Sequence, residues 1–178
     1  FATVTGVNPQ IFTSGTGTLA LVGTVFLGGN VVLDGAGQGV AGGGLTEAVA
    51  GAGVTKQGAG TWVFPTNNFY SGPTNLQNGS IDVTFLANIG TPSSLGTGAN
   101  TPTITLGNAA TTGILRYVGA TDASTNRPLS LAGTTGGGTV DSSGAGSVSS
   151  TGSQATMPAL KKHMCSSACT TECSTAAW

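Results

Sequence analysis

The chain has 178 residues, of which 31 are glycine, and its five basic and six acidic side chains give a formal net charge of −1. About one quarter of the residues in an ordinary globular domain are charged, against only 6% in this chain. Disordered chains are usually polar and charged, whereas 38% of this chain is hydrophobic. Basic side chains are not clustered before the C-terminal segment, so nucleic acid and anionic membrane surfaces are poor partners. No apolar run approaches the roughly 20 residues of a membrane-spanning helix.

Apolar residues alternate with small polar residues along most of the chain, as in Thr18–Leu21, Thr103–Leu106 and Leu129–Leu131. Such period-two alternation predicts half-buried strands, and the frequent glycine and threonine disfavour helices. The pattern predicts thirteen short strands, at 3–7, 18–22, 24–27, 30–33, 53–55, 60–64, 73–76, 80–83, 103–106, 113–118, 129–131, 138–141 and 146–149. Phe1 follows neither an initiator methionine nor a leader, and we expect it to begin a processed or excised chain.

In the middle of the chain, two pairs of apolar residues follow each other at a short interval. In each pair, which we call a couplet, one residue separates the two apolar side chains. Trp62 and Phe64 are followed by Ile81 and Val83 at the same spacing, with glycine and asparagine turns between the couplets. An interval of that length is typical of one coil of a solenoid, in which each coil buries its inward side chains against the next.

The segment around these couplets resembles the autotransporter-associated β-strand repeat. Matching positions are Gly51, Gly53, Val54, Thr55, Lys56, Gly58, Gly60, Thr61, Trp62, Phe64, Asn68, Tyr70, Ser71, Gly72, Thr74, Gly79, Ile81 and Val83. Residues 94–148 are similar to the segments that separate such repeats, so the resemblance extends over about 46–152. It implies an exported passenger-type or surface-filament module with a mechanical or adhesive role.

Together the strand pattern and the resemblance predict an all-β fold, a right-handed parallel β-helix of about six or seven coils over residues 1–156. Arg116 and Arg127 are expected to face water. The predicted interior consists of Trp62, Phe64, Leu76, Ile81, Val83, Ile104, Leu106, Leu115, Tyr117, Leu129, Leu131 and Val140.

Residues 1–156 contain neither histidine nor cysteine, which removes Ser-His-Asp and Cys-His nucleophiles and imidazole-bound zinc from this part of the chain. We therefore expect no enzyme activity, no catalytic or metal-binding residues and no cofactor. One enzymatic alternative remains, a carbohydrate-active β-helix that uses Asp82 and Asp141, because both should face outward on one side. The other interpretation is a pair of solvated carboxylates.

Residues 157–178 differ from the rest in composition and are expected to form an irregular tail outside the repeat. They hold all three cysteines, Cys165, Cys169 and Cys173, as well as His163 and two lysines. An odd number of cysteines in a secreted chain suggests covalent cross-linking to a partner or capture of a metal, and a terminal tag without structure is the alternative.

The sequence thus predicts a structural or adhesive module outside the cell or at its surface. Its expected partners are further coils, either in a longer chain or through end-to-end self-association, and a glycan or a host surface is a further candidate. A self-assembling extracellular filament subunit is the nearest alternative. No nucleic acid partner and no membrane span in this segment are expected.

Overall fold

A computed structural model describes residues 2–4, 9–13, 17–152 and 165–166, and this part of the chain consists of strands and turns without a helix. In chain order the strands are β1 (Ala2–Val4), β2 (Gln10–Thr13), β3 (Thr18–Ala20), β4 (Val25–Leu27), β5 (Val31–Gly35), β6 (Gln38–Val40), β7 (Leu45–Glu47), β8 (Val54–Lys56), β9 (Thr61–Phe64), β10 (Thr74–Leu76), β11 (Gly79–Val83), β12 (Ile104–Ala109), β13 (Gly113–Tyr117), β14 (Ala123–Thr125), β15 (Leu129–Gly133), β16 (Gly138–Ser142), β17 (Val148–Ser150) and β18 (Cys165–Ser166).

The strands form four parallel sheets in which each strand pairs with its counterpart in the next coil. Sheet A has the order β1-β4-β7, sheet B β2-β5-β8-β10-β12-β15, sheet C β3-β6-β9-β11-β13-β16-β18, and sheet D β14-β17. The chain visits A, B and C in turn and then begins the next coil, so six strands stack in sheet B and seven in sheet C. This architecture confirms the predicted β-solenoid. Its right-handed sense stays a prediction, in keeping with the general preference of parallel crossovers.

Most coils have the predicted length, and one is longer. In sheet C, Gln38 pairs with Thr61, Thr61 with Ser80, and Ile114 with Thr139, so these coils are all similar in length to the interval between the couplets. Ser80, however, pairs with Ile114, which makes the coil between them much longer than the others. The additional residues fall in the segment 84–103, which we call the long connection.

Sheets A and D occupy the same place in the cycle, between a strand of sheet C and one of sheet B. Between β7 and β14 the chain has no strand in that place, and the gap is filled by turns of 65–73 and of the long connection. Within these described turns, an isolated antiparallel bridge joins Asn68 to Ser93. On this face, isolated backbone hydrogen bonds take the place of a continuous ladder, from the Phe69 N–H to the Leu45 carbonyl and from the Asn68 N–H to the Ser93 carbonyl.

The interior consists of continuous rows of inward side chains. One row in sheet C runs Trp62, Ile81, Leu115 and Val140, each paired with the next across one rung. The predicted interior residues from Trp62 to Tyr117 are all buried, which confirms the period-two interpretation of their strands. Leu129, Leu131 and Val140 also pack against the core but are only partly buried, because they lie in the last full coil.

Two expectations from the sequence were wrong. Arg127 does not face water but is 1% exposed, because backbone carbonyls of the long connection surround its guanidinium. The thirteen predicted strands also omitted β2, β6, β7, β14 and β18. Several of these have a glycine or a polar residue at an inward position, so their alternation is weak.

The strand β18 lies in the segment that was expected to be an irregular tail. Cys165 pairs with Asp141 and Ser166 with Ser142, so β18 adds a parallel rung to sheet C after β16. The predicted boundary between residues 156 and 157 falls outside the described residues and stays a prediction. Across the described part of the chain, no helix has the length and hydrophobicity to cross a membrane.

Candidate functional site

The segment that carries the repeat motif forms the centre of the solenoid. Its strands β8 and β10 are neighbours in sheet B, and β9 and β11 are neighbours in sheet C. Trp62 lies beside Ile81 and Phe64 beside Val83, and all four side chains are fully buried. The interval between the couplets in the sequence is thus the length of chain from one rung to the next.

Trp62 fits into this narrow interior because the residue beside it in the preceding coil is glycine. Gly39 pairs with Trp62, and a Cβ atom added to Gly39 would overlap with the indole ring of Trp62. Any larger residue at position 39 would have to displace the ring. The absence of a side chain at Gly39 also explains why β6 was not recognised as a strand.

Through its side chain, Asn68 reinforces the isolated backbone hydrogen bonds between coils on the face that sheets A and D occupy elsewhere. Its buried side chain accepts a hydrogen bond from the Leu45 N–H, with Oδ1 at 2.6 Å, and Nδ2 donates to the carbonyl of Ser94. One amide group therefore connects the coil before it to the coil after it. The asparagine of the motif is a structural residue, since a buried amide without both partners would cost about 1–3 kcal/mol per unsatisfied group.

Lys56 lies in the interior of the repeat coil, at an inward position between Leu33 and Leu76 of the adjacent rungs. Its side chain is fully buried, and the ammonium donates to the carbonyls of Gly58 and Asn78, the latter at 3.2 Å from Nζ. Burial lowers the pKa of Lys56 from 10.5 to about 8, and the negative charge of Asp34 partly opposes this shift. The buried cation thus connects the turn after β8 to the turn after β10.

Asp34 lies at the same corner one coil earlier. Its Oδ2 accepts a hydrogen bond from Gln57 Nε2 at 2.9 Å, and its Oδ1 accepts one from the Gly35 N–H. The hydrogen bond from Gln57 is the main reason why the pKa of Asp34 is lowered, followed by the Gly35 N–H, and the charge of Lys56 also contributes. This corner therefore holds a carboxylate near the buried ammonium.

Arg127 forms a second buried cationic site, at the start of the coil that contains β15. Its Nε donates to the Pro102 carbonyl at 2.8 Å and its Nη1 to the Leu95 carbonyl at 2.6 Å. Its Nη2 lies 3.4 Å from Thr74 Oγ1, which in turn is 3.1 Å from the hydroxyl of Tyr70. The planar guanidinium is suited to this role because it presents donors in several directions at once.

The pKa shifts at this site follow from its burial. Burial lowers the pKa of Arg127, although the partner Tyr70 opposes the shift. Burial raises the pKa of Tyr70 to about 12, and the charge of Arg127 and the hydrogen bond to Thr74 reduce this shift. The positive charge of Arg127 is stabilised by the carbonyl and hydroxyl oxygens that accept its hydrogen bonds.

The two aspartates considered for catalysis lie on the outer face of sheet C, as predicted. Asp82 and Asp141 are register neighbours of Arg116 on opposite sides. Arg116 Nη1 is 3.3 Å from Asp82 Oδ2, and Arg116 Nε is 3.4 Å from Asp141 Oδ2. Burial raises the pKa of Asp82, and the attraction of Arg116 opposes this shift. The guanidinium occupies the space between the carboxylates, where a sugar would have to bind in a two-carboxylate mechanism.

Of the three cysteines expected to form cross-links, one lies in the described part of the chain. Cys165 lies in β18, while Cys169 and Cys173 fall outside the described residues, so their cross-linking stays a prediction. Sequence reasoning missed the roles of Lys56 and Asn68, although a signal for Lys56 was present. In the strand Val54–Lys56, the period-two alternation that places the Val54 side chain in the interior also places the Lys56 side chain there.

These features define a parallel β-solenoid whose corners are held by buried polar side chains. Residues 54–83 match the family described as passenger-associated-transport-repeat. The match confirms the resemblance to the autotransporter repeat over these residues, and it indicates a passenger-type segment and hence a secreted or surface-exposed protein. Neither a curated protein nor a solved structure matches the chain.

Proposed function

We propose that this chain is a structural segment of an exported passenger, a stalk without catalysis that extends or presents other parts of a surface protein. The observation that carries this proposal is the position of the matched repeat. Its strands are internal rungs of sheets B and C, and further coils continue the same rows on both sides. A repeat used in this way builds length, which is the property that a stalk requires.

The distribution of charge supports this role. Of the three cations in residues 17–152, Lys56 and Arg127 are buried and Arg116 is neutralised by two carboxylates. The outward row of sheet B consists of small uncharged residues over several rungs, as in Thr55, Asn75 and Thr105. Such a surface remains hydrated and has no concentrated charge that would attract nucleic acid or anionic lipid.

A display experiment tests the stalk role. The chain is placed between an export signal and an outer-membrane anchor, with an epitope tag at its N-terminus. We expect antibody to label intact cells, and labelling should be lost with Leu115→Asp, which disrupts the interior, but kept with Arg116→Asp. Equal labelling of the two variants would show that exposure of the tag does not require the folded solenoid.

A carbohydrate-active enzyme is the second candidate, because the Asp82 and Asp141 carboxylates lie on one face and both contact Arg116, at 3.3 and 3.4 Å. Two carboxylates on one guanidinium are at most about 9 Å apart, which is within the range for an inverting pair. For a structural segment we expect Asp82→Asn and Asp141→Asn to leave all polysaccharide turnover unchanged. A loss of more than about tenfold in depolymerisation, with the fold intact, would favour the enzyme.

A further inference from the structure

The two ends of the described solenoid expose parts of the apolar rows that fill its interior. In the last full coil, Leu131 and Val140 are only partly buried, whereas their counterparts one rung earlier are buried. In the first coil, Ile11 is partly buried and Leu19 is 36% exposed. Both ends therefore carry aliphatic side chains at inward positions that a further rung would cover.

The exposed residues at the two ends belong to the same rows. In sheet B, one inward row begins with Ile11 beside Leu33 and ends with Leu131 beside Leu106. In sheet C, another begins with Leu19 beside Gly39 and ends with Val140 beside Leu115. A second copy shifted along the axis would place its Ile11 on Leu131 and its Leu19 on Val140. This contact would continue the interface that already joins consecutive coils.

The strand β18 occupies one edge that such a second copy would need. It pairs with β16 through Asp141 and Ser142, which is the side of sheet C where the next rung would be added. In a second copy, that rung would be β3. Among the described strands, β15 is the last in sheet B and β17 is the last in sheet D, so β18 extends sheet C and neither of these two sheets.

We propose that this chain can stack head to tail on a second copy, and that β18 prevents this by occupying the edge of sheet C. Stacking in register requires all three faces at once, so blocking one face is sufficient. The contact joins different surfaces of the two copies and does not close, so release of β18 would give fibres rather than dimers. This inference goes beyond the stalk role and does not depend on export.

Paired variants of the full chain test the blocking strand. In one variant both residues of β18 are changed to proline, Cys165→Pro with Ser166→Pro, because proline has no N–H for the ladder. Its matched control, Cys165→Ala with Ser166→Ala, keeps both N–H groups and also lacks the thiol. All samples are kept under reducing conditions to exclude disulfide links, and sedimentation velocity is measured over a hundredfold range of concentration.

We expect the parent and the alanine control to sediment as monomers throughout, and the proline variant to grow in mass with concentration by at least tenfold. A proline variant that remains monomeric would overturn the proposal. So would an alanine control or a parent chain that assembles to the same extent, because the strand would then not block the edge.

A second pair of substitutions distinguishes register stacking from nonspecific aggregation of the proline variant. Added to that variant, Leu131→Lys places a charge in the inward row at the contact, whereas Ser130→Lys places it on the outer face of the same strand. We expect the first to abolish growth and the second to leave it within about twofold. Growth that is insensitive to both would contradict head-to-tail stacking.

Discussion

Arg127 shows how one side chain can replace strand pairing in an irregular coil. The residue lies in the turn between β14 and β15. Period-two alternation does not extend into turns, so it does not predict whether this side chain points to the interior or to solvent. Its guanidinium contacts the carbonyls of Pro102 and Leu95, both in the long connection. The charge is therefore satisfied by residues that are distant in sequence, and no local pattern could have revealed this.

Removal of the guanidinium should destabilise the fold. We expect Arg127→Met to lower the free energy of unfolding by about 1–3 kcal/mol, because it leaves buried carbonyls without donors although it also removes a buried charge. Urea denaturation measures this change. Arg116→Met is the control, and for this half-exposed residue we expect a loss below about 1 kcal/mol. If the two variants lose the same stability, the buried contacts of Arg127 contribute nothing specific.

The alternation in β13 provides a test on two neighbouring residues. Leu115 is buried and Arg116 lies on the outer face, so Leu115→Asp should cost several kcal/mol by burying an unpaired carboxylate. Arg116→Asp should cost much less, although it removes the ion pairs with Asp82 and Asp141. Thermal unfolding followed by circular dichroism measures both, and equal losses would refute the assignment of the faces.

At the scale of elements, the couplets with large apolar residues could be predicted from sequence and the weaker strands could not. Strands such as β9 and β11 have two large inward side chains each. By contrast, β6 has Gly39 at its inward position because Trp62 of the next rung fills that space. Such strands form because they pair with strands of the neighbouring coils. Those partners are a whole coil away in the sequence, so a local pattern does not contain them.

Strand β8 carries a lysine in a core row, and this should make stability depend on pH. The pKa of Lys56 is about 8 in the folded chain against 10.5 ordinarily, so between these values the unfolded chain binds more protons. Stability should therefore increase as pH rises from about 8 towards 10.5, by at most about 3 kcal/mol. Urea denaturation at several pH values measures this, and in Lys56→Met the increase should disappear. An increase that persists in the variant would assign it to another group.

Tyr70, in the turn before β10, should make the stability of the fold decrease at higher pH, which is opposite to the effect of Lys56. The pKa of Tyr70 is raised to about 12, so its contribution is fully present below the ordinary value near 10. It should be lost as pH rises through about 12. Tyr70→Phe should remove this decrease, as seen by the unfolding midpoint between pH 10 and 12. A decrease of equal size in the variant would show that Tyr70 is not its source.

For the whole molecule, the solenoid architecture was predictable and the contribution of the C-terminal segment was not. The interval between couplets and the repeat motif were sufficient to predict stacked coils, because every rung repeats the same burial. The long connection has no counterpart in this periodicity, so the buried residues that it brings together, Leu86, Ser93 and Leu95, were not predicted. The strand β18 has only two residues and no couplet.

Removal of residues 157–178 tests the predicted boundary of the solenoid. We expect the shortened chain, in dilute solution, to retain the β-rich circular dichroism spectrum and its melting transition, because the interior rows lie before residue 152. The midpoint should shift by only a few degrees, as for a loss of about 1 kcal/mol. Loss of cooperative unfolding would show that the segment is needed for folding.

Arg127 contacts a residue of a coil that is not adjacent to its own, and this contact affects how the coils unfold. In a simple solenoid each repeat interacts with its neighbours alone, so coils can separate from an end one at a time. Arg127 contacts Thr74 of β10, although β12 lies between β10 and β15 in sheet B. The coils from β10 to β15 should therefore open as one cooperative unit with a common hydrogen-exchange rate, whereas those from β2 to β8 should exchange in a graded order.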